Sequence, residues 1–203
     1  MYKIGLSGGI CTGKSLILNI LRELGCYTVR ADDLAKSIIF GDNPRIRKEL
    51  IKIFGPDIYD EKTGLKKETF SRILFEDEEK RNCVNKMVHP LVKAERAKLI
   101  KKLEESKCYD FLIYESALLV EAGIYKEFDK IIIAYSTPEE QIARLMQRDG
   151  IGLEEAENKI KSQFPLSEKL KVAHYTIDTS GSFENTRLQT LETFYLLKKD
   201  LKI

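Results

Sequence analysis

The sequence predicts an α/β protein whose parallel sheet is covered by helices on both faces. Short apolar segments alternate with helical segments along most of the 203 residues. The first apolar segment ends in two glycines and leads directly into a helix. Strands joined through helical, right-handed crossovers run parallel, and their sheet is buried on both faces.

Five segments have the composition of buried strands. Apolar and β-branched residues dominate each one, and glycine or polar residues lie at its end or just beyond it. These segments are residues 2–7, 26–32, 111–116, 130–136 and 175–180. We therefore expect a sheet of five strands.

Three of the connecting helices have clear sequence signals. Apolar residues recur at helical spacing over 14–24, and Gly25 follows as a C-terminal cap. Thr137 and Glu140 form a capping box with Pro138 between them, which predicts a helix start. The last helix is expected to cover the sheet with the stripe Phe183, Leu188, Leu191, Phe194 and Tyr195.

Two segments interrupt the alternation. Residues 33–108 are predominantly helical in pattern and much longer than one crossover requires, so we interpret them as an acceptor-binding insertion, with a turn at 60–68. Residues 149–173 are polar and contain Gly150, Gly152 and Pro165, as expected of a lid built from short helices.

Composition excludes several classes of protein. Charged residues make up 33% of the chain but balance to a net charge of +2, which gives no reason to expect nucleic acid as a partner. The four cysteines include no C-x-x-C pair, so neither a zinc site nor a disulfide framework is expected, and a reducing cytoplasm suits the chain. We expect no membrane span and no signal peptide.

The strongest motif lies between the first strand and the first helix. Gly8, Gly13, Lys14 and Ser15 fit G-x-x-x-x-G-K-[ST] in the required strand-to-helix context. The loop N–H groups would form an anion nest, Lys14 would reach the β- and γ-phosphates, and Ser15 would bind Mg²⁺. The alternative is a glycine-rich turn that binds nothing.

Acidic residues follow two of the predicted strands. Asp32 would lie at the strand end, where it could orient or deprotonate an attacking hydroxyl, or it could cap the next helix, with Asp33 in the first turn. Glu115 ends the third strand, where a carboxylate supports Mg²⁺ and its waters; a polar strand end is the alternative.

Four other side chains each allow two interpretations. Arg144 and Arg148 lie four residues apart next to the predicted lid and could neutralise a transferring phosphoryl group, or pair with Glu140 or Asp149. Cys11 is either a reactive thiol or a small loop residue, and His89 is either structural or part of an acceptor pocket.

Together these residues resemble those of the dephospho-coenzyme A kinase family. The resemblance runs in the family's order over nearly the whole chain, through the segments IGLSGGICTGKS, RADDLAK, VHPLV, ALLVEAGIYKEFDKII, QIARLMQRDGI, SQFPLSEK and AHYTIDTSGS. It implies Mg²⁺-dependent transfer of the ATP γ-phosphate to the ribose 3′-hydroxyl of dephospho-coenzyme A. It also implies a three-layer P-loop kinase fold with strand order 2-3-1-4-5, a helical substrate insertion and a lid.

The motifs and the resemblance together imply roles for individual residues. Asp32, Lys14 and Arg144 are expected to be catalytic, and Asp32 and His89 to contact the acceptor. Ser15 is expected to bind Mg²⁺, with Asp32 and Glu115 acting through water. ATP is expected to contact Gly8, Gly9, Cys11, Thr12, Gly13, Lys14, Ser15, Leu16 and Arg148, with residues 178–181 near the adenine.

The family pattern further implies one kinase domain over 1–203, with the core in 1–32, 109–148 and 174–203. The expected partners are ATP and dephospho-coenzyme A. We also expect a cytoplasmic protein that is a monomer or a small homo-oligomer. This chain departs from the family pattern at Arg30, where an acid is usual, and at Cys11, Leu16 and Ala117.

Two other functions compete with this interpretation. Another small-molecule P-loop kinase, with a nucleotide or shikimate-like acceptor, would share Lys14 and Ser15. A GTPase-like switch needs N-K-x-D after D-x-x-G, whereas NKMV at 85–88 lacks the aspartate and DTSG at 178–181 follows it. A switch would bind GTP tightly, whereas a kinase would phosphorylate an added acceptor.

Overall fold

A computed structural model describes residues 1–60 and 63–202. The chain divides into two compact units, one formed by residues 1–30 and 103–203 and the other by residues 31–102. Each unit has its own apolar core.

The first unit is built on a parallel sheet of five strands. Its strands are β1 (Tyr2–Gly8), β2 (Tyr27–Arg30), β5 (Phe111–Glu115), β6 (Lys130–Tyr135) and β7 (Tyr175–Asp178). They lie in the order β2-β5-β1-β6-β7, which is 2-3-1-4-5 when these five are counted alone. The expected fold class and strand order are confirmed.

The helices of this unit surround the sheet. They are α1 (Lys14–Glu23), α6 (Pro138–Asp149), α7 (Leu153–Lys161), α8 (Leu166–Leu170) and α9 (Phe183–Asp200). Alternate strand residues face opposite sides, so Ile4 and Leu6 join the core that includes Leu18 of α1 and Leu197 of α9. On the other face, Tyr114 stacks on Phe128 with ring centroids 5.5 Å apart.

Helix α9 corrects one expectation about the core. Phe183, Leu188 and Tyr195 are exposed, and the buried residues of the helix are Thr186, Thr190, Thr193 and Leu197. Thr190 Oγ1 donates to the Thr186 carbonyl at 2.7 Å, so its hydroxyl is satisfied within the helix. The threonine face can therefore be buried against the sheet, and the expected apolar stripe was wrong for these three residues.

The second unit is mostly helical. It contains α2 (Ala31–Phe40), α3 (Pro44–Phe54), the hairpin strands β3 (Tyr59–Asp60) and β4 (Gly64–Leu65), α4 (Lys67–Glu76) and most of α5 (Glu78–Ser106). Its core contains Ile46, Leu50, Phe70, Val84 and Val88. The turn expected at 60–68 includes residues 61 and 62, which lie outside the described residues.

The second strand is shorter than expected. It ends at Arg30, and α2 begins at Ala31, so both Asp32 and Asp33 lie in the first helical turn. Carboxylates are favoured there by the helix dipole, which explains why the helix begins early and why the expected strand over 26–32 was too long.

Candidate active site

The loop between β1 and α1 has the backbone of an anion-binding turn. Cys11 and Gly13 have positive φ angles of 55° and 69°. Gly13 caps α1 without a side-chain hydrogen bond, so no capping side chain closes the N-terminal end of that helix. A helix N-terminus behind such a loop is favourable for a phosphate.

Gly8 lies too close to the next strand to carry a side chain. A Cβ atom on Gly8 would lie 2.3 Å from the backbone oxygen of Ala134 in β6. Because that oxygen belongs to the sheet, it cannot move aside. Glycine at this position therefore sets the path of the chain out of β1.

Side chains within the loop hold its first two carbonyl groups. Lys14 Nζ donates to the carbonyl of Gly8 at 3.2 Å and to that of Gly9 at 2.5 Å. Thr12 Oγ1 also donates to Gly9, at 2.9 Å, and Thr12 is buried. The ammonium group of Lys14 thus binds the backbone of the loop that precedes it.

Helix α6 holds the next two carbonyl groups. Gln141 Nε2 donates to the carbonyl of Ile10 at 2.7 Å. Arg144 donates to the carbonyl of Cys11 at 3.4 Å. Since a trans peptide places C=O and N–H on opposite sides, these contacts turn the N–H groups of Cys11 and Thr12 away from α6.

Thr179 completes this set of contacts. Its Oγ1 lies 3.2 Å from the carbonyl oxygen of Thr12 and 3.0 Å from that of Tyr135. The hydroxyl has one proton, so it donates to one of these oxygens at a time. Every carbonyl from Gly8 to Thr12 thus lies within hydrogen-bonding distance of a side-chain donor.

The two arginines of α6 have different surroundings. Besides Cys11, Arg144 binds Glu140 at 2.7 Å and the carbonyl of Thr179 at 2.7 Å. Arg148 is exposed and pairs with Asp149 at 2.7 Å. The hydrogen bond that Arg148 donates to Asp149 raises the pKa of Arg148 and lowers the pKa of Asp149.

The acidic end of β5 lies beside the arginine that ends β2. Glu115 and Arg30 are register partners, and Arg30 Nε donates to Glu115 Oε2 at 3.3 Å. The Glu115 side chain is 7% exposed, so it lies in the interior of the first unit. The structure therefore places Glu115 next to a cation at the carboxyl edge of the sheet.

The other expected site residues lie on helices. Ser15 and Leu16 are in the first turn of α1, where Ser15 is exposed. Asp32 and His89 belong to the second unit and are both exposed. The structure thus groups the loop residues, Arg144 and Glu115 in the first unit, and Asp32 and His89 in the second.

Several residues around the loop were missed by the sequence interpretation. Gln141 and Thr179 contact the loop as described above, and Gln163 Oε1 accepts the N–H of Ile10 at 2.7 Å. Lys169 is buried and binds Glu121 at 2.7 Å and the carbonyl of Ala117 at 2.8 Å. All four lie in segments that carry the family resemblance. The sequence therefore marked these segments, but it did not indicate what the individual side chains do.

A pocket of about 260 Å³ borders the loop within the first unit. Gly9 and Thr12 contribute from the loop, Gln141 from α6, and residues 160–169 supply most of the remaining lining. Apolar side chains such as Phe164 and Leu166 and the amide groups of Gln141 and Gln163 line the same space. The pocket can therefore hold a ligand with both apolar and hydrogen-bonding groups.

Two structural features are absent from the described residues. Across residues 1–60 and 63–202, no cluster of three or more His, Cys, Asp or Glu side chains could hold a metal ion. Within the same ranges no helix is both long and apolar enough to cross a membrane.

The fold and the loop geometry define a small kinase of the P-loop class. A family model described as dephospho-CoA kinase matches residues 2–185. Dephospho-CoA kinase from Aquifex aeolicus is 38% identical over 200 residues, which cover 98% of this chain and 100% of the relative. That from Carboxydothermus hydrogenoformans is 40% identical, covering 93% of this chain and 90% of the relative.

A solved structure agrees with these sequence relatives. Dephospho-CoA kinase from Campylobacter jejuni superposes with a TM-score of 0.74 at 25% identity, covering 98% of both chains. The chain belongs to the dephospho-CoA kinase family. It is an ATP-dependent kinase, and its acceptor is dephospho-coenzyme A.

Proposed function

We propose that residues 8–15 bind the phosphates of ATP while the enzyme transfers the γ-phosphoryl group to the ribose 3′-hydroxyl of dephospho-coenzyme A. The observation that supports this proposal is the set of side-chain contacts to the carbonyls of residues 8–12. With the carbonyls held, the following N–H groups are directed to one side as a preorganised anion site.

Lys14 is the proposed cation of this site. Its ammonium group binds the carbonyls of Gly8 and Gly9, which are neutral acceptors. Phosphate oxygens are stronger acceptors for an ammonium group because they carry charge. Lys14 is therefore expected to move to the β- and γ-phosphates when ATP binds.

Asp32 is the proposed general base. Its carboxylate would accept the proton of the 3′-hydroxyl as that oxygen bonds to the γ-phosphorus. The bond from the γ-phosphorus to the bridging oxygen then breaks, and ADP leaves. Exposure of Asp32 supports the proposal, because the acceptor must reach its carboxylate.

The arginines of α6 have separate proposed roles. Arg144 donates hydrogen bonds to Cys11, Glu140 and Thr179. We therefore expect it to hold the loop 8–15 against residues 178–181 during phosphoryl transfer. Arg148 is exposed and pairs with the carboxylate of Asp149. It is the arginine we expect to reach the phosphates of ATP.

Magnesium is the proposed metal, and the residues present offer the oxygen ligands that it takes. Ser15 offers an exposed hydroxyl and Glu115 a buried carboxylate beside Arg30. Mg²⁺ commonly takes few protein ligands and completes its shell with phosphates and waters, so one hydroxyl and a water-mediated carboxylate suffice. The ion would neutralise charge on the β- and γ-phosphates.

The other proposals concern the acceptor-binding segment, the lid, the partners and the cellular compartment. We assign acceptor binding to the insertion 33–108, with His89, and lid closure to 149–173. The near-balanced net charge of +2 supports small-molecule partners rather than nucleic acid. Four free cysteines support a reducing cytoplasm, and we expect a monomer or small homo-oligomer.

The proposal is tested with the purified protein, ATP and Mg²⁺. ADP formation is followed with dephospho-coenzyme A, AMP, shikimate or buffer as the acceptor. We expect ADP only with dephospho-coenzyme A. Turnover with AMP or shikimate at a comparable rate would contradict the acceptor assignment.

A further inference from the structure

The peptide groups on either side of Ile10 are held by two glutamines from different elements. Gln163, which follows α7, accepts the Ile10 N–H at 2.7 Å, and Gln141 of α6 donates to the Ile10 carbonyl at 2.7 Å. Gln141 is buried, so its amide has little access to water. Residue 10 is thus bound through both of its backbone polar groups.

Gly9 allows this approach. A Cβ atom on Gly9 would lie 2.9 Å from Gln141 Nε2 and 3.2 Å from Gln163 Oε1. The two amides therefore occupy the space that a side chain at position 9 would need. They also line the pocket of about 260 Å³ beside the loop.

The two contacts set the direction of a neighbouring N–H group. The Ile10 carbonyl and the Cys11 N–H belong to one planar peptide, so fixing the carbonyl fixes the N–H. Cys11 then turns through a positive φ of 55°, which few non-glycine residues adopt without support from their surroundings. A loop held in this way has its N–H groups aligned before a phosphate arrives.

We propose that Gln141 and Gln163 are positioning residues for phosphate binding, acting through the Ile10 backbone. The proposal rests on the proposed binding of ATP by residues 8–15. It also links that loop to residues 149–173, because Gln163 lies in that segment. Movement of this segment would change the support of the loop, so the two are expected to respond together to ATP.

Steady-state kinetics of the leucine variants test the positioning role. Each of Gln141→Leu and Gln163→Leu removes one hydrogen bond, and we expect the KM for ATP to rise about five- to ten-fold. The kcat and the KM for dephospho-coenzyme A should change less than the KM for ATP. An unchanged KM for ATP in both variants would overturn the proposal.

A charge-matched pair separates the hydrogen bond from other effects. Gln163→Glu keeps an oxygen that can accept the Ile10 N–H, whereas Gln141→Glu replaces the donor with a carboxylate that faces a carbonyl. Both variants add one negative charge beside the loop. We expect a KM for ATP several-fold lower in Gln163→Glu than in Gln141→Glu, and equal values would contradict the proposal.

Amide hydrogen exchange distinguishes failure of this inference from failure of the ATP site. In the ¹⁵N-labelled protein, the Ile10 amide should exchange faster in Gln163→Leu than in wild type, whether or not ATP binds. Unchanged exchange overturns the contact itself. If ATP leaves the wild-type resonances of residues 11–15 unshifted, the ATP site and the positioning role both fail while the contact stands.

Discussion

Arg30 and Glu115 end neighbouring strands, and their side chains meet with Nε and Oε2 3.3 Å apart. Glu115 is the more buried partner, with 7% of its side chain exposed against 41% for Arg30. A carboxylate in this position is costly unless a cation compensates it. The pair explains how an arginine is accommodated at the end of β2, since it faces the carboxylate of Glu115.

Reversing the charge of Arg30 should therefore destabilise the protein. We expect Arg30→Asp to lower the free energy of unfolding by about 1–3 kcal/mol, because two carboxylates then lie in register. Urea unfolding measures the change. Adding Glu115→Gln should restore most of the loss, whereas losses that simply add would show that the two side chains are not coupled.

Replacing Asp32 tests the general base. Asp32→Asn should lower kcat about 10²- to 10⁴-fold, because the amide cannot accept the proton. Asp33→Asn is the matched control, since Asp33 is also exposed in the first turn of α2 and has the same relation to the helix dipole. Equal effects on kcat in the two variants would contradict the general-base role and would show that Asp32 only stabilises the helix.

Adding one methyl group to the loop tests its packing. Gly8→Ala should destabilise the protein by about 3 kcal/mol or more, because the new Cβ would lie 2.3 Å from the Ala134 oxygen. Gly152→Ala is the control, since its Cβ would meet nothing within 4 Å. Thermal unfolding of both variants measures the difference, and similar melting temperatures would contradict the close approach.

Cys26 should make the stability of the protein fall in alkali. Burial first, and then the charge of Asp110, raise the pKa of this thiol from 9.0 to about 12. Above pH 9 the unfolded thiol loses its proton while the folded thiol keeps it, so stability falls as the pH rises from about 9 towards 12. Below pH 9 both states are protonated and the effect vanishes.

Unfolding free energies of wild type and Cys26→Ala should diverge with pH. Relative to the variant, wild type should lose about 2 kcal/mol between pH 8 and about pH 10.5, since one proton is worth about 1.4 kcal/mol per pH unit. The cavity made by the substitution is the same at both values. An equal loss of unfolding free energy with pH in the two proteins would show that unfolding does not change the protonation of Cys26.

The sequence predicted the features that depend on local spacing. The five strands, the loop 8–15 and the start of α6 at Thr137 follow from patterns within about a dozen residues. Only half of the expected capping box forms: Thr137 accepts the N–H of Glu140 at 3.3 Å, while the Glu140 side chain binds Arg144 and the N–H of Gly181.

The contacts that hold the loop could not be predicted in the same way. Gln141 is separated from Ile10 by 131 residues, and Thr179 from Thr12 by 167. No local pattern assigns partners over such distances. The burial of Thr190 was missed for another reason, because its hydroxyl is satisfied by the Thr186 carbonyl and so behaves as part of an apolar face.

The position of the transferred phosphate tests the central proposal most directly. The enzyme is incubated with ATP, Mg²⁺ and either the 2′-deoxy or the 3′-deoxy analogue of dephospho-coenzyme A, and the product is identified by mass spectrometry. We predict phosphorylation of the 2′-deoxy analogue and none of the 3′-deoxy analogue. A phosphorylated 3′-deoxy analogue would contradict transfer to the 3′-hydroxyl.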